Sequence, residues 1–350
     1  MGIMQTTRIY FVLLLCVTLV LKSLPSYAQL KSKAISDTSY IQSYDTMITT
    51  RIFLTQKYLS MHLKDKNDVP ILKFYPNSKL SLGLGASYGS LTINFSAGLG
   101  FLNNGAKEKE KPETKALDLQ VHFYGPKLIM DVFAQHYKGF YLFPKGKAVL
   151  NNGENWYKRP DMILSQYGAS GFYVLNWRKF SSRAAYLQNE WQIKSAGSFL
   201  LGAEVFYKEA KADSSFVPGV FNNIYQAAGV YRVRSGSIAP GAGYAYTLVL
   251  AKHFFISGSL TGGLSVNLLK ETFAGAAGTR FGLNPTYAFK TGIGYNSRRF
   301  TTSITWVNNS VATSGDQAMY TSHSGIARVH LAYRLPASNN FKQKIRFLER

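Results

Sequence analysis

The 350-residue chain has a single cysteine, Cys16, inside the apolar run "IYFVLLLCVTLVL" near its N-terminus. That excludes a disulfide framework, on which small secreted domains usually depend. Charge is scarce at 17% of residues, against roughly 25% in ordinary soluble proteins. Acids are scarcer still: 18 Asp and Glu stand against 40 Lys and Arg, a net charge of +22. Past the N-terminal run, no stretch has the ~18–20 continuous apolar residues of a membrane-crossing helix. A chain like this can cross a membrane only as a closed barrel, because lipid leaves no other way to satisfy the backbone.

Chemical motifs are also missing. There is no HExxH, P-loop or GxGxxG. "GASYG", residues 85–89, fits G-x-S-x-G. A nucleophile elbow needs a strand–turn–helix, and here another strand follows. His62, His122, His136, His253, His323 and His330 lack metal-ligand spacing. They read as wall or interface residues, and neither a catalytic residue, a metal nor a cofactor is expected. A Ser–His pair drawn from separate strands leaves no local motif, so a lipid-modifying barrel enzyme stays open.

What is present is alternation. In "KLSLGLGASYGSLTINFSAGLGF", residues 79–101, Leu80, Leu82, Leu84, Ala86 and Tyr88 share one face. Ser81, Gly83, Gly85 and Ser87 share the other. After Gly89 the pattern resumes, with Leu91, Ile93, Phe95, Ala97, Leu99 and Phe101 opposite Thr92, Asn94, Ser96, Gly98 and Gly100. Period two means strand. An uncharged, glycine-rich polar face suits the crowded inside of a curved wall, and the apolar face suits lipid.

Similar runs recur at 46–60, 116–124, 127–141, 163–176, 180–194, 198–210, 237–250, 253–267, 284–296, 299–309 and 324–335. Tight turns at Gly89, Gly125-Pro126, "WRK" (177–179), Ala251-Lys252 and Ser297-Arg298 alternate with long segments. These are 102–115, 142–162, 211–236, 268–283 and 310–323. Short turns at one end and long loops at the other are the rhythm of an outer-membrane barrel. The fold expected is all-β: a transmembrane antiparallel up-and-down barrel of about twelve strands, ten to fourteen depending on whether 46–60 and 224–235 count. Trp177 and Trp306 are expected at strand ends, where aromatic girdles sit.

Arg8, the apolar run and the small residues Ser26 and Ala28 read as a signal peptide over 1–28, cleaved before Gln29. Its loss removes Arg8 and Lys22 and no acid, taking +22 to +20. Residues 29–45 read as a polar, frayed periplasmic segment, 46–336 as the barrel and 337–350 as a basic tail. In that tail Phe341, Ile345 and Leu348 share a helical face, which suits a helix on the inner leaflet as well as a solvated end.

"LGLGASYGSLTINFSAGLGF", "DLQVHFYGPKLIMDVFAQHYKGFYL", "SGFYVLN" and "NEWQIKSAGSFLLG" resemble the blocks of the bacterial domain of unknown function 4421. The resemblance covers roughly residues 37–335. It implies an outer-membrane barrel and carries no catalytic motif.

Alternation aims Asp118, Gln120, His122, Asp131, Gln135, Glu190, Lys194, Glu204, Lys208, Lys290, Arg328, His330 and Arg334 into the lumen. Either they form an ion network filling a narrow barrel, with Arg328 paired to an acid such as Asp118 or Glu204, or they line a small porin-like pore. The function expected is a small passive channel or a structural barrel. The alternatives are the lipid-modifying enzyme and a surface barrel binding a glycan or partner through Trp156, Tyr157, Lys158 and Arg159. Expected partners are outer-membrane lipids including lipopolysaccharide, the barrel-assembly machinery during insertion and, for an open lumen, a small polar solute. Nucleic acid suits an exported barrel poorly.

Overall fold

The alternating runs become long antiparallel strands. The computed structural model describes residues 36–338 apart from 89–90, 100–102, 104, 106–109, 148–154 and 274. The expected signal peptide, the Gly89 turn and most of the basic tail lie outside the described residues. The strands are β1 (Ile41–Ser43), β2 (Met47–Asp65), β3 (Leu72–Pro76), β4 (Leu80–Tyr88), β5 (Leu91–Gly98), β6 (Lys115–Tyr124), β7 (Leu128–Phe143) and β8 (Tyr157–Val174). After a short helix, α1 (Ser182–Tyr186), come β9 (Glu190–Gln192), β10 (Ala196–Lys211), β11 (Val230–Leu250), β12 (Phe254–Phe273), β13 (Ala276–Asn296), β14 (Phe300–Ser314) and β15 (Ala318–Pro336).

Among the described residues, ten strands close an antiparallel barrel: β2, β3, β7, β8 and β10 to β15, with β15 returning to β2. Thr50 Oγ1 donates to Tyr333 O at 3.2 Å and Thr55 Oγ1 to Ala327 O at 3.2 Å along that closure. β2 therefore begins where β15 finishes, at what we call the terminal end; the opposite end is the far end.

The remaining three long strands widen one side. β2 pairs with β3 over 61–63 and with β4 over 49–56. β7 pairs with β3 over 140–143 and with β6 over 129–138. So a single strand bridges β2 and β7 toward the far end, while β4, β5 and β6 hang toward the terminal end. The connection from β5 to β6 starts and finishes partway up the wall, with Gly98 beside Ser81 and Lys115 beside Lys138.

Outward residues are apolar all round. Phe199, Leu201 and Val205 on β10, Leu260, Leu264 and Leu268 on β12, Phe281, Leu283 and Ile293 on β13, and Val329, Leu331 and Tyr333 on β15 are all exposed. No helix among the described residues is long and apolar enough to cross a membrane. Inward residues are small or polar where something packs over them. On β4 a Cβ at Gly83 would overlap the Phe53 ring, and one at Gly85 would overlap Asn94 and sit 3.1 Å from Arg51 Cγ. The glycine-rich face of residues 81–87 makes room for the Phe53 ring and the Arg51 side chain.

Several expectations are corrected. Residues 180–194 are no wall strand: they form α1 and β9, because Ser181 accepts from Ala184 N as an N-cap and "SSRAAYLQNE" has no period-two apolar face. Segments 268–283 and 310–323 are mostly strand, continuing β12–β13 and β14–β15 to tight turns. Polar side chains do not interrupt a backbone ladder. Residues 41–43 are not frayed but pair with β9, since Ile41 and Tyr44 are buried. Trp306 lies mid-strand on β14, edge-on to Phe289. Trp177 does sit in an end turn, with Lys127 and Arg178 against its ring.

Candidate functional site in the barrel lumen

The terminal end is stoppered from inside. Between β8 and β10 the chain folds α1 and β9 into the mouth, and β1 pairs with β9. Arg183 on α1 is buried and binds Glu190 Oε1 at 2.8 Å and Asp45. Ser181 donates to Glu190 as well. Burial pushes the Glu190 carboxyl up from its ordinary value, with the Arg183 charge and the Ser181 hydroxyl pulling the other way. Wall residues grip the backbone of this plug. Arg51 Nη2 donates to Leu187 O at 3.2 Å, Arg334 Nε to Gln188 O at 3.1 Å and Asn296 Nδ2 to Glu190 O at 3.1 Å. The first two carbonyls follow the C-terminus of α1, where cations are favoured. Phe180 and Leu187 pack with Tyr124, Ile129 and Phe172 of the wall.

Above the plug lies a polar layer. Lys290 Nζ is 2.6 Å from Asp131 Oδ2, and His122 Nδ1 is 2.6 Å from Asp131 Oδ1. Tyr124 donates to the same carboxylate at 3.1 Å and accepts from Lys290 at 2.9 Å. Asp118 receives Tyr137 at 2.7 Å, Gln135 at 2.8 Å and Gln120 at 2.8 Å. Lys57 reaches it from β2 at 3.4 Å, bridging β2 to β6 across the wall. Lys208 is buried and donates to Val311 O at 3.0 Å. Glu204, also buried, borders a cavity of about 30 Å³ together with Tyr124, Tyr186 and Lys290.

The far end is filled with hydrocarbon. Leu59, Met61, Leu63, Leu72, Phe74, Tyr137, Phe140, Leu142, Met162, Leu164 and Leu269 point inward from the wall and are fully buried. Phe216, Val217, Tyr225 and Ala227, from the β10–β11 connection, complete the cluster. Tyr225 donates to Pro70 O at 2.5 Å and Ala227 N to Asp65 Oδ2 at 2.9 Å, which holds this cap across the mouth.

Of the residues singled out from the sequence, Asp118, Gln120, His122, Asp131, Gln135, Glu204, Lys208 and Lys290 stand in the polar layer. Glu190 belongs to the plug instead of the wall. Lys194, just past β9, is exposed and lies 5.3 Å from the Tyr40 ring. Both misplacements follow from reading 180–194 as a strand. Among the described residues Arg328 has no acid for a partner: its guanidinium lies 4.8 Å over the Phe53 ring, and Asp118 is held by Lys57. His330 is buried, 3.0 Å from Ser303 Oγ. Arg334 is fully buried over Tyr44 at 4.1 Å. The plug carried no sequence signal beyond an odd failure of alternation.

Catalytic geometry is sparse. Ser87 accepts from Arg51 and shares a 2.7 Å hydrogen bond with Thr92. The Ser–His contacts, His136 with Ser165 and His330 with Ser303, have no carboxylate on the histidine among the described residues. Nor do the described residues contain three His, Cys, Asp or Glu grouped to hold a metal. Of the residues offered for surface binding, Tyr157, Lys158 and Arg159 lie on β8 instead of a loop, and Arg159 is buried against Asp161 and the Ser214 and Ser215 carbonyls. Trp156 packs edge-on to Tyr141, with Lys111 over it.

The profile of the family described as a domain of unknown function, DUF4421, matches residues 35–335. No curated protein matches the sequence. Among solved structures, the outer membrane protease OmpT from Escherichia coli shares 9% identity, with 85% of this chain and 100% of that chain covered and a TM-score of 0.38. Neisserial surface protein A, NspA, shares 8% identity over 82% of this chain and 97% of that one, with a TM-score of 0.21. The toluene transporter TodX of P. putida shares 7% over 83% and 91%, with a TM-score of 0.22. All three scores lie below 0.5, so neither protease activity nor toluene transport passes from them to this chain.

Proposed function

The chain belongs to the DUF4421 family, and we propose from its own geometry that it is a closed outer-membrane barrel, structural or lipid-facing in role, with no standing pore. The observation that carries this reading is the lumen filled at two levels, by the buried cluster around Phe216 and Tyr225 and by the plug around Arg183 and Glu190. The polar layer between them is hydrogen-bonded around Asp118 and Asp131.

The outer-membrane setting rests on the closed wall and its lipid-facing belt. The terminal end is then periplasmic. Its turn cations Lys127, Arg178, Lys252 and Arg298 suit acidic headgroups, and the far end meets lipopolysaccharide. Insertion would pass through the barrel-assembly machinery. A signal peptide ending at Ala28 fits this route; sequencing the mature N-terminus should return Gln29 first, and Met1 would refute export by cleavage. Liposome swelling tests the closed lumen. Vesicles carrying the protein should swell in isotonic arabinose no faster than empty ones; swelling that scales with protein would restore the passive channel.

A further inference from the structure

Strand register sorts the outer face of β7, β8, β10, β11 and β12 into rows. Val205, Ile238 and Val266 stand side by side and are exposed hydrocarbon. Two residues farther toward the far end, Tyr207 has Tyr167 on one side and Gly236 on the other, and Gly236 has Leu268 beyond it. The next row sets Glu209 beside Arg234 and Arg234 beside Lys270. The last sets Lys211 beside Arg232, with Lys211 and Lys138 flanking Ile163. One step along a strand is about 7 Å for two residues. Hydrocarbon, tyrosine and cation thus follow one another within about three steps, as they do across a lipid–water boundary.

The two upper rows hold five cations and a single acid. Lys211 directly opposes Arg232, and Arg234 directly opposes Lys270; like charges so placed destabilise a sheet. Glu209 answers only part of this, accepting from Arg232 Nε at 2.7 Å. Past the strand ends Asp161 is held by Arg159, and Asp213 is exposed. Lys138, Lys211, Arg234 and Lys270 have no ion pair among the described residues. Below Arg234 the tyrosine row is indented, because a Cβ at Gly236 would meet nothing within 4 Å. Nor does the charge run evenly round the barrel. β14 has no Lys, Arg, Asp or Glu, and Arg328 and Arg334 of β15 lie against Phe53 and Tyr44 inside the wall. Headgroups in general would ask for an even ring; a one-sided cluster suits one bound molecule.

We propose that these rows bind the phosphorylated sugar headgroup of one lipopolysaccharide molecule, with phosphate oxygens on Lys211, Arg232, Arg234 and Lys270 and an acyl chain descending the Gly236 indentation past Ile238. Phosphate supplies the counter-charge that the two like-charge pairs lack, and guanidinium geometry suits its oxygens. This deepens the outer-membrane reading and rests on it.

The test uses the full mature chain in detergent, with diphosphoryl lipid A as probe and native mass spectrometry as readout. Wild type should hold one lipid A, more tightly than dimyristoylphosphatidylglycerol. The triple variant Lys211→Gln, Arg234→Gln, Lys270→Gln should bind lipid A about tenfold or more weakly, while keeping its folded mobility on unheated gels. Lys64→Gln, Lys66→Gln, Lys73→Gln removes the same charge from β2, β3 and their connection, and should leave binding unchanged. Equal loss in both triples would mean bulk charge attraction and overturn the site, as would no loss in the first. Gly236→Trp fills the indentation without touching a charge and should also weaken lipid A; unchanged affinity would overturn the acyl-chain position. Phosphatidylglycerol bound as tightly, or full displacement by inorganic phosphate at equal concentration, would overturn lipopolysaccharide as the ligand. A wild type that conducts yet binds lipid A at these rows would refute the closed lumen and leave the site standing. A protein recovered soluble would refute the membrane reading itself.

Discussion

Asp131 and Lys290 face each other across the lumen from β7 and β13 at 2.6 Å, with side chains 14% and 15% exposed. Removing one charge leaves the other in a poorly hydrated layer. Lys290→Met should cost about 3–5 kcal/mol of folding stability, as for other broken buried pairs. Adding Asp131→Leu should recover most of it, read from urea-dependent folding into lipid vesicles. No recovery would mean that His122 and Tyr124 need the carboxylate more than Lys290 does. Arg328 is the opposite case. With no acid to strand, Arg328→Met should leave stability unchanged or raise it, whereas Val329→Arg, one residue along, places a charge in lipid at about 2–4 kcal/mol. Equal tolerance of the two would refute the register of β15. Alternation separates the faces of this strand in the sequence, since Val329 and Leu331 are exposed and His330 is buried. Partners are another matter. Which acid meets which base depends on strand order and shear, and one sequence does not contain those.

At the scale of elements, the β4–β5 hairpin shows why small inner residues matter. Phe53 is buried flat against Gly83. Gly83→Val should lower stability by roughly 1–3 kcal/mol through overpacking. Phe53→Ala alone should also destabilise. Their combination should cost less than the sum, because each change relieves the other; strict additivity in vesicle refolding would show that the two side chains do not share that space. Most of these strands were legible, because one face meets lipid and the other a crowded interior. The plug was not. Its residues satisfy their backbone through Ser181, Arg334 and Asn296, so its stability comes from distant wall positions that leave no local pattern. β3 is illegible in the sequence for a related reason: five residues, "LKFYP", are too few to establish a period.

For the whole molecule, part of the excess of Lys and Arg has a structural use. Some cations lie in the terminal-end turns, where Lys127 and Arg178 stack on Trp177. Others are internal: Arg51, Arg183 and Arg334 fix the plug, and Arg159 fixes the far-end cap through Ser214 and Ser215. The ten-strand circuit was within reach of the alternation, but a lumen blocked at both ends was not, since inward polarity reads the same in a filled barrel and an open one. A pore would need both blocks to leave. Single-channel recording in planar bilayers therefore decides most directly. Wild type should show no steady conductance under 100 mV. A variant with short Gly-Ser linkers replacing both 178–194 and 213–228 should conduct once folded. Stable unitary currents from the wild-type protein would contradict the closed barrel.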